Sequence, residues 1–264
     1  METGMVRKVS DKQLSEFIAG ACGASQLTFE PVRQGLANSV FRASSGGQSW
    51  AVKLLGPATF SAVNYTVVAK LQQQLAVCGL APVVTAYDPA LRVWIEEWVD
   101  TPEQQSVDIE RLAHSLANIH QSDINAPTLA LLPCWQHYLE QLPAKTARSY
   151  SAQRDKLVPV ISQFSHYQDF CFCHNDLSFA HLVGPSRNKV VDWEYAATGN
   201  RYFDIAACIL INELNGEQQQ QLCDEYAKLA GKSAGSVEKG VVAFLPVVDF
   251  TNRLWTAAAE KNPG

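Results

Sequence analysis

Acidic residues are missing from one long part of this 264-residue chain. Neither Asp nor Glu occurs between Pro31 and Tyr87, although Arg33, Arg42, Lys53 and Lys70 do. A cation buried in that stretch has no acidic neighbour in sequence. Long apolar runs are missing as well. VVAFLPVV at 241–248 is far too short to span a bilayer, and no basic-plus-apolar leader opens the chain. Membrane insertion is therefore not expected. The seven cysteines are an odd count and include no C-x-x-C pair, so buried free thiols in a reducing cytoplasm are the expectation. Basic excess is absent too: a net charge of −5 and a pI near 5.7 argue against a nucleic-acid-binding surface. With 47% hydrophobic and 18% charged residues, the chain is not a disordered one and can bury a substantial core.

The chemistry-bearing stretch is CFCHNDLSFAHLVGPSRNKVVDWEY at 171–195. It reads as strand, polar loop, strand, tight turn at 184–188 and a further apolar run ending in an aspartate. That arrangement brings Asp176 and Asp192 to the same end of one hairpin. Two carboxylates so placed suit a general base and a metal-binding acid, the pair that phosphoryl transfer needs.

Three motifs in order carry a family resemblance: His174-Asn175-Asp176-Leu177-Ser178, Asp192-Trp193-Glu194-Tyr195-Ala196, and Arg201-Tyr202-Phe203-Asp204-Ile205-Ala206. Together they resemble the choline kinase and aminoglycoside phosphotransferase superfamily, nearest to bacterial choline- or thiamine-kinase types. The resemblance implies an α+β, two-lobed, protein-kinase-like fold. A sheet-rich lobe over residues 1–98 would cover the nucleotide phosphates, and a mainly helical lobe over 99–264 would hold the catalytic loop, the metal site and the acceptor pocket. ATP and Mg²⁺, with Mn²⁺ as the other metal, are the implied cofactors, and a small alcohol is the implied partner.

Local patterns place these motifs. A helix is expected over 10–23, with Ser10 and Gln13 as a capping box and Gly23 as its stop. Strands follow at 27–34, 39–43 and 50–55. Lys53, flanked by apolar residues, is either a functional cation or an edge lysine reaching water; the resemblance assigns it to phosphate. The loop at 35–38 is either a phosphate cradle, with Asn38 and Ser39 as donors, or a plain hairpin loop. A helix over 59–78 would normally carry a glutamate for the lysine in the resembled kinases, and here it has none. Either phosphates balance Lys53, with Asn64 or Gln72 steadying it, or the site has decayed. Strands at 83–87 and 91–99 lead into a hinge, where the resemblance puts adenine contacts on the backbone of Glu97 and Val99. Further helices are expected from Ser106, which would cap the first, over 133–142, and over 148–164. His120 lies on an apolar helix face and reads as a core residue, as it does in the family.

By the resemblance, Asp176 is the catalytic base and Asp192 a metal ligand, while His174 and Asp204 brace the loop. The role of Glu194 stays open. His181 stands where the family has an asparagine metal ligand. Imidazole is a poor Mg²⁺ ligand, so His181 either favours Mn²⁺ or donates to a phosphate. By the resemblance the acceptor pocket includes Trp255, with Tyr195, Trp193, Tyr202 and Glu213 as further candidates, and core packing is the alternative for each aromatic residue. Asn252 replaces one of the two helix tryptophans that face a quaternary ammonium in choline kinases, which implies a weaker or altered cation preference. Choline leads as acceptor, then ethanolamine or thiamine; an aminoglycoside or sugar, or a non-catalytic pseudokinase-like role, are the alternatives.

Overall fold

A computed structural model describes residues 11–24, 26–34, 38–56, 63–103, 106–164 and 166–261. The helix α1 (Asp11–Cys22) opens the described chain and ends at Gly23, whose φ of +63° suits a residue without Cβ. Ser10 lies outside the described residues, as do the loop positions 35–37. Five strands follow: β1 (Thr28–Gln34), β2 (Asn38–Ser45), β3 (Gln48–Leu55), β4 (Val84–Asp88) and β5 (Val93–Glu97), with α2 (Tyr65–Val77) between β3 and β4. They form one antiparallel sheet in the order β1-β2-β3-β5-β4.

The alternation of β3 and β5 sends side chains to two different cores. Ala43, Val52, Val93 and Ile95 pack under Ile18 and Cys22 of α1, whereas Leu55 and Trp94 join α2 and the large core of the C-terminal part. Helix α2 starts later than its sequence pattern suggests. Asn64 caps it, accepting from the backbone N–H groups of Thr66 (3.1 Å) and Val67 (3.3 Å), which fixes the first turn at Tyr65. Residues 59–62 lie outside the described chain. Asn64 is therefore a cap and does not steady Lys53.

The C-terminal part is mainly helical: α3 (Ile109–Gln121), α4 (Leu131–Glu140), α5 (Ala144–Gln163), α6 (Arg201–Ile211), α7 (Gly216–Ala230) and α8 (Ala234–Ala259). Asp108, not Ser106, caps α3, its carboxylate accepting from the Arg111 backbone N–H at 2.9 Å. Four short strands, β6 (Phe170–Cys173), β7 (Leu182–Val183), β8 (Lys189–Val190) and β9 (Ala197–Asn200), carry the motif stretch. Their pairing differs from a single hairpin. β7 pairs with β8, while β6 pairs with β9, so the polar loop after β6 does not lead into its own partner strand. The reason is length: β7 and β8 hold only two residues each, and β6 finds a four-residue partner beyond the Asp192 turn.

Candidate active site

The loop after β6 is held by one buried carboxylate. Asp204, on α6 and fully buried, accepts from the His174 N–H (2.8 Å), the Asn175 N–H (2.7 Å) and His120 Nε2 (3.0 Å). Burial works to raise the Asp204 pKa, but the hydrogen bond and charge of His120, with His174, lower it. His120 Nδ1 meets the Tyr226 hydroxyl at 2.7 Å, so both of its nitrogens are spent on structure. Although His120, Cys171 and Cys173 form a cluster with metal-ligand spacing, that bonding makes His120 part of the brace.

His174 is fully buried, and burial lowers its pKa, which keeps it neutral. Its Nε2–H donates to the Val191 carbonyl (3.1 Å), leaving Nδ1 to accept from the Asp176 N–H (3.2 Å). His174 thereby ties the Asp176 loop to the residue before Asp192. Asn175 (φ +65°) and Asp192 (φ +71°) both sit in the left-handed region, unusual for residues with a Cβ and often seen where structure holds a functional group.

Asp176 and Asp192 flank His181. His181 Nδ1 lies 2.9 Å from the Asp176 carbonyl, and its Nε2 lies 3.5 Å from Asp192 Oδ2. Nδ1 also faces the Ser178 N–H (3.4 Å), so two tautomers are open: a proton on Nε2 donates to Asp192, and a proton on Nδ1 donates to the Asp176 carbonyl and turns the Nε2 lone pair toward the carboxylate. A proton or a metal ion between the two is then the favourable occupant. The donor pair of one carboxylate oxygen and one imidazole nitrogen fits a divalent cation, and it suits Mn²⁺ better than Mg²⁺. Burial alone would raise the Asp192 pKa, but Lys53, His181 and His174 draw it down to about 2.

Lys53 meets two acids: Glu96 at 3.2 Å and Asp192 at 3.4 Å. The lysine is thus balanced within the protein itself, from β5 and from the Asp192 turn. Gln72 acts through Glu96, donating to it at 2.6 Å. Glu194 follows Asp192 in a 3₁₀ turn, Trp193–Tyr195, so strand alternation does not govern its direction. Its Oε2 accepts from the Tyr65 hydroxyl (2.7 Å) and from Asn38 Nδ2 (3.3 Å), joining the C-terminal part to β2 and α2. Asn38, expected at phosphate, therefore has its amide engaged in this clasp, and its Oδ1 accepts from Gly56 N–H (3.1 Å). Ser39 is half-buried opposite Leu54. Glu96 and Tyr65 escaped the sequence reading because neither stands in a motif with the residue it meets, whereas Gln72, expected near Lys53, reaches it through Glu96, and Glu194, whose role the sequence leaves open, meets Tyr65 and Asn38.

At the hinge, the Glu97 N–H already donates to Val83 O (2.9 Å), so an adenine contact there falls to its carbonyl. The Glu97 side chain pairs with Lys189 (3.0 Å), and Val99 packs beside Gly184. In the expected acceptor region, the Trp255 indole donates to the Tyr195 hydroxyl at 3.1 Å. The Tyr195 hydroxyl pKa is raised, by burial first and then by Glu194, Tyr138 and Asp176, which places Asp176 within electrostatic reach of this aromatic pair. Glu213 is exposed just beyond α6, at φ +50°. Its neighbour Asn212 holds Phe179 N–H (2.7 Å) and Leu177 O (3.0 Å) of the loop that carries Asp176. Two expected pocket residues belong to the core instead. Trp193 is stacked on Phe172 and donates to Val190 O, and Tyr202 packs against Gly240 with its hydroxyl on Asp169.

Residues 28–235 match the model of the phosphotransferase enzyme family. The chain belongs to that family. Its fold is that of small-molecule kinases, as the sequence motifs imply. It resembles the choline kinase LicA of Streptococcus pneumoniae (TM-score 0.78, 19% identity, 96% of this chain and 92% of that one). It also resembles an ethanolamine kinase of Plasmodium vivax (TM-score 0.80, 14% identity, 98% and 86%). An ADP-bound aminoglycoside phosphotransferase, APH(2'')-Ib, is more distant (TM-score 0.59, 15% identity, 96% and 99%). A LicA homolog of Mycoplasma capricolum is 26% identical over 149 residues, 55% of this chain and 61% of that protein. An uncharacterized protein of Metamycoplasma hominis is 24% identical over 180 residues, 66% of this chain. The matched regions span about a third of the length of the Metamycoplasma protein and about three-fifths of the Mycoplasma one. Among the described residues, no helix is long and apolar enough to cross a membrane.

Proposed function

We propose that this protein moves the γ-phosphoryl group of ATP to the hydroxyl of a small, cationic alcohol, choline first, then ethanolamine or thiamine. The observation that carries the reading is the Lys53–Asp192 contact across the two parts of the chain, beside the braced loop that holds Asp176. ATP would lie between lobes of residues 1–98 and 99–264, its adenine against the Glu97 carbonyl and Val99 and its phosphates against Lys53. Nucleotide-bound relatives with this fold, LicA with AMP and APH(2'')-Ib with ADP, support that placement.

Asp176 would accept the hydroxyl proton of the substrate as its oxygen bonds to the γ-phosphorus and the β–γ bridging oxygen leaves with ADP. Lys53 would hold phosphate oxygens in line for that displacement. A divalent cation bound by Asp192, with His181 beside it, would neutralise phosphate charge. The aromatic pair Tyr195–Trp255 offers faces for a substituted ammonium, and Glu213 a carboxylate near the same loop. An aminoglycoside or sugar acceptor is the same chemistry with another pocket occupant.

Release of ADP tests this, with ATP plus Mg²⁺ or Mn²⁺ and choline, ethanolamine, thiamine or an aminoglycoside as acceptor. Acceptor-dependent release is expected, reduced about 10²–10⁴-fold in Asp176→Asn. ATP-induced thermal stabilisation should survive in that variant. No stabilisation by ATP with either metal would sink the kinase reading and leave a binding role for the fold.

A further inference from the structure

Lys53 is 9% exposed, and the two acids that reach its ammonium are not equivalent. Glu96 is 2% exposed and has both oxygens engaged. Oε1 meets Lys53, while Oε2 accepts from Trp94 Nε1 (2.9 Å) and Gln72 Nε2 (2.6 Å). Gln72 Nε2 also donates to Pro82 O (3.1 Å), so its amide orientation is set from two sides. Asp192 is more open, at 30% side-chain exposure, with its second oxygen toward His181. Sheet geometry explains the Glu96 contact. Lys53 lies opposite Trp94 in the β3–β5 register, and Glu96 is two residues further along the same face, a diagonal cross-strand neighbour.

We propose that Glu96 is the positioning residue for Lys53, performing from the strand before the hinge a task that the acid-free α2 helix cannot, with Gln72 as the link from α2 to that carboxylate. The proposal rests on the reading of Lys53 as the phosphate-binding lysine. It separates the two acids by role. Glu96 is the permanent partner, fully satisfied and closed to a metal ion. Asp192 is the exchangeable one, free to turn to a cation when phosphates take its place at the lysine. Burial works to lower the Lys53 pKa, but Glu96 and then Asp192 more than reverse it, so the lysine stays cationic. A long, flexible ammonium held by a bonded carboxylate loses less freedom when phosphate arrives.

Substitutions on both sides of the 2.6 Å contact test this, read as ADP release with ATP, Mg²⁺ or Mn²⁺ and choline, and as ATP-induced thermal shift. Glu96→Gln is expected to lose about 10–100-fold in kcat/KM for ATP, because the lysine is no longer held in place. Gln72→Glu alone sets two carboxylates against each other and should lose activity too. Gln72→Leu removes the N–H donor to Glu96 and should lose less than Glu96→Gln, and the double variant Gln72→Leu/Glu96→Gln should lose no more than Glu96→Gln alone, a non-additivity that independent damage would not give. Glu96→Asp, which keeps the charge, serves if Glu96→Gln does not fold, and should fall between wild type and Lys53→Ala. Wild-type-like ATP affinity and kcat/KM in Glu96→Gln, alongside loss in Lys53→Ala, would overturn the assignment of Glu96. Additive losses in the double variant would overturn the role of Gln72. Absence of any ATP-dependent shift in the wild type would instead overturn the kinase reading, and this inference with it.

Discussion

Asp192 concentrates the electrostatics of the site in one side chain. Its pKa is held near 2, against an ordinary value of 3.8, so the native state binds its proton more weakly than the unfolded chain does. A depressed carboxylate contributes stability above the unfolded value and loses it as the pH falls through the folded one. The contribution is about 2 kcal/mol at neutral pH. In metal-free urea titrations, wild type should therefore lose stability between pH 4 and 2 more steeply than Asp192→Asn; parallel curves would contradict it. His181 sets the other side of the metal question. With its Nδ1 held at the Asp176 carbonyl, Nε2 is aimed at Asp192, a nitrogen donor where an oxygen donor would suit Mg²⁺. His181→Asn is expected to raise turnover with Mg²⁺ relative to Mn²⁺. An unchanged ratio in steady-state assays with each metal would remove His181 from the metal site.

Helices α6 and α8 approach closely enough to leave no room for a methyl group. A Cβ on Gly240 would come within 2.5–2.7 Å of the Tyr202 ring, and Tyr202 is itself fixed by its bond to Asp169. Gly240→Ala should therefore destabilise by about 1–3 kcal/mol despite its better helix propensity, seen as a lower urea midpoint. A neutral or stabilising result would mean that the ring shifts freely. This contact matters to the site because Tyr202 and Asp204 share the start of α6. Movement there would reach the two loop N–H groups that Asp204 holds. Sequence patterns were sufficient for most helices and strands, because each is a local period with local caps. They failed for β6, whose partner is decided by the space left beside two-residue strands. They also failed for the α3 cap, where Asp108 stands two residues nearer to the helix than Ser106 and takes the capping position.

Across the whole molecule, the Glu194 clasp joins the C-terminal part to β2 and α2 through the Tyr65 hydroxyl and Asn38. Burial, then Asp192, raises the Glu194 pKa, and the bonds from Tyr65 and Asn38 only partly offset this. The ionised form is thus disfavoured in the folded state, and its cost is present above the folded pKa and vanishes as the pH falls below the unfolded value. Glu194→Gln can still accept from Tyr65. It should match or exceed wild-type Tm at pH 7, with the difference disappearing in acid. A marked loss of Tm at pH 7 would show instead that the charge itself holds the two parts together.

The sequence by itself determined the phosphotransferase motifs, the two acids within them and the brace from Asp204, because these residues stand in runs whose spacing reflects one loop and one helix start. It also showed that α2 lacks an acid. Only the tertiary structure decided what that lack means. Lys53 finds Glu96 through the register of β3 against β5, and Gln72 finds it because α2 lies over that face. Contacts of this kind depend on how separate elements pack, and no run of neighbouring residues records them. The pocket aromatics divide for the same reason. Trp193 and Tyr202 point into the core while Tyr195 meets Trp255, a distinction set by a 3₁₀ turn and a helix crossing rather than by residue type.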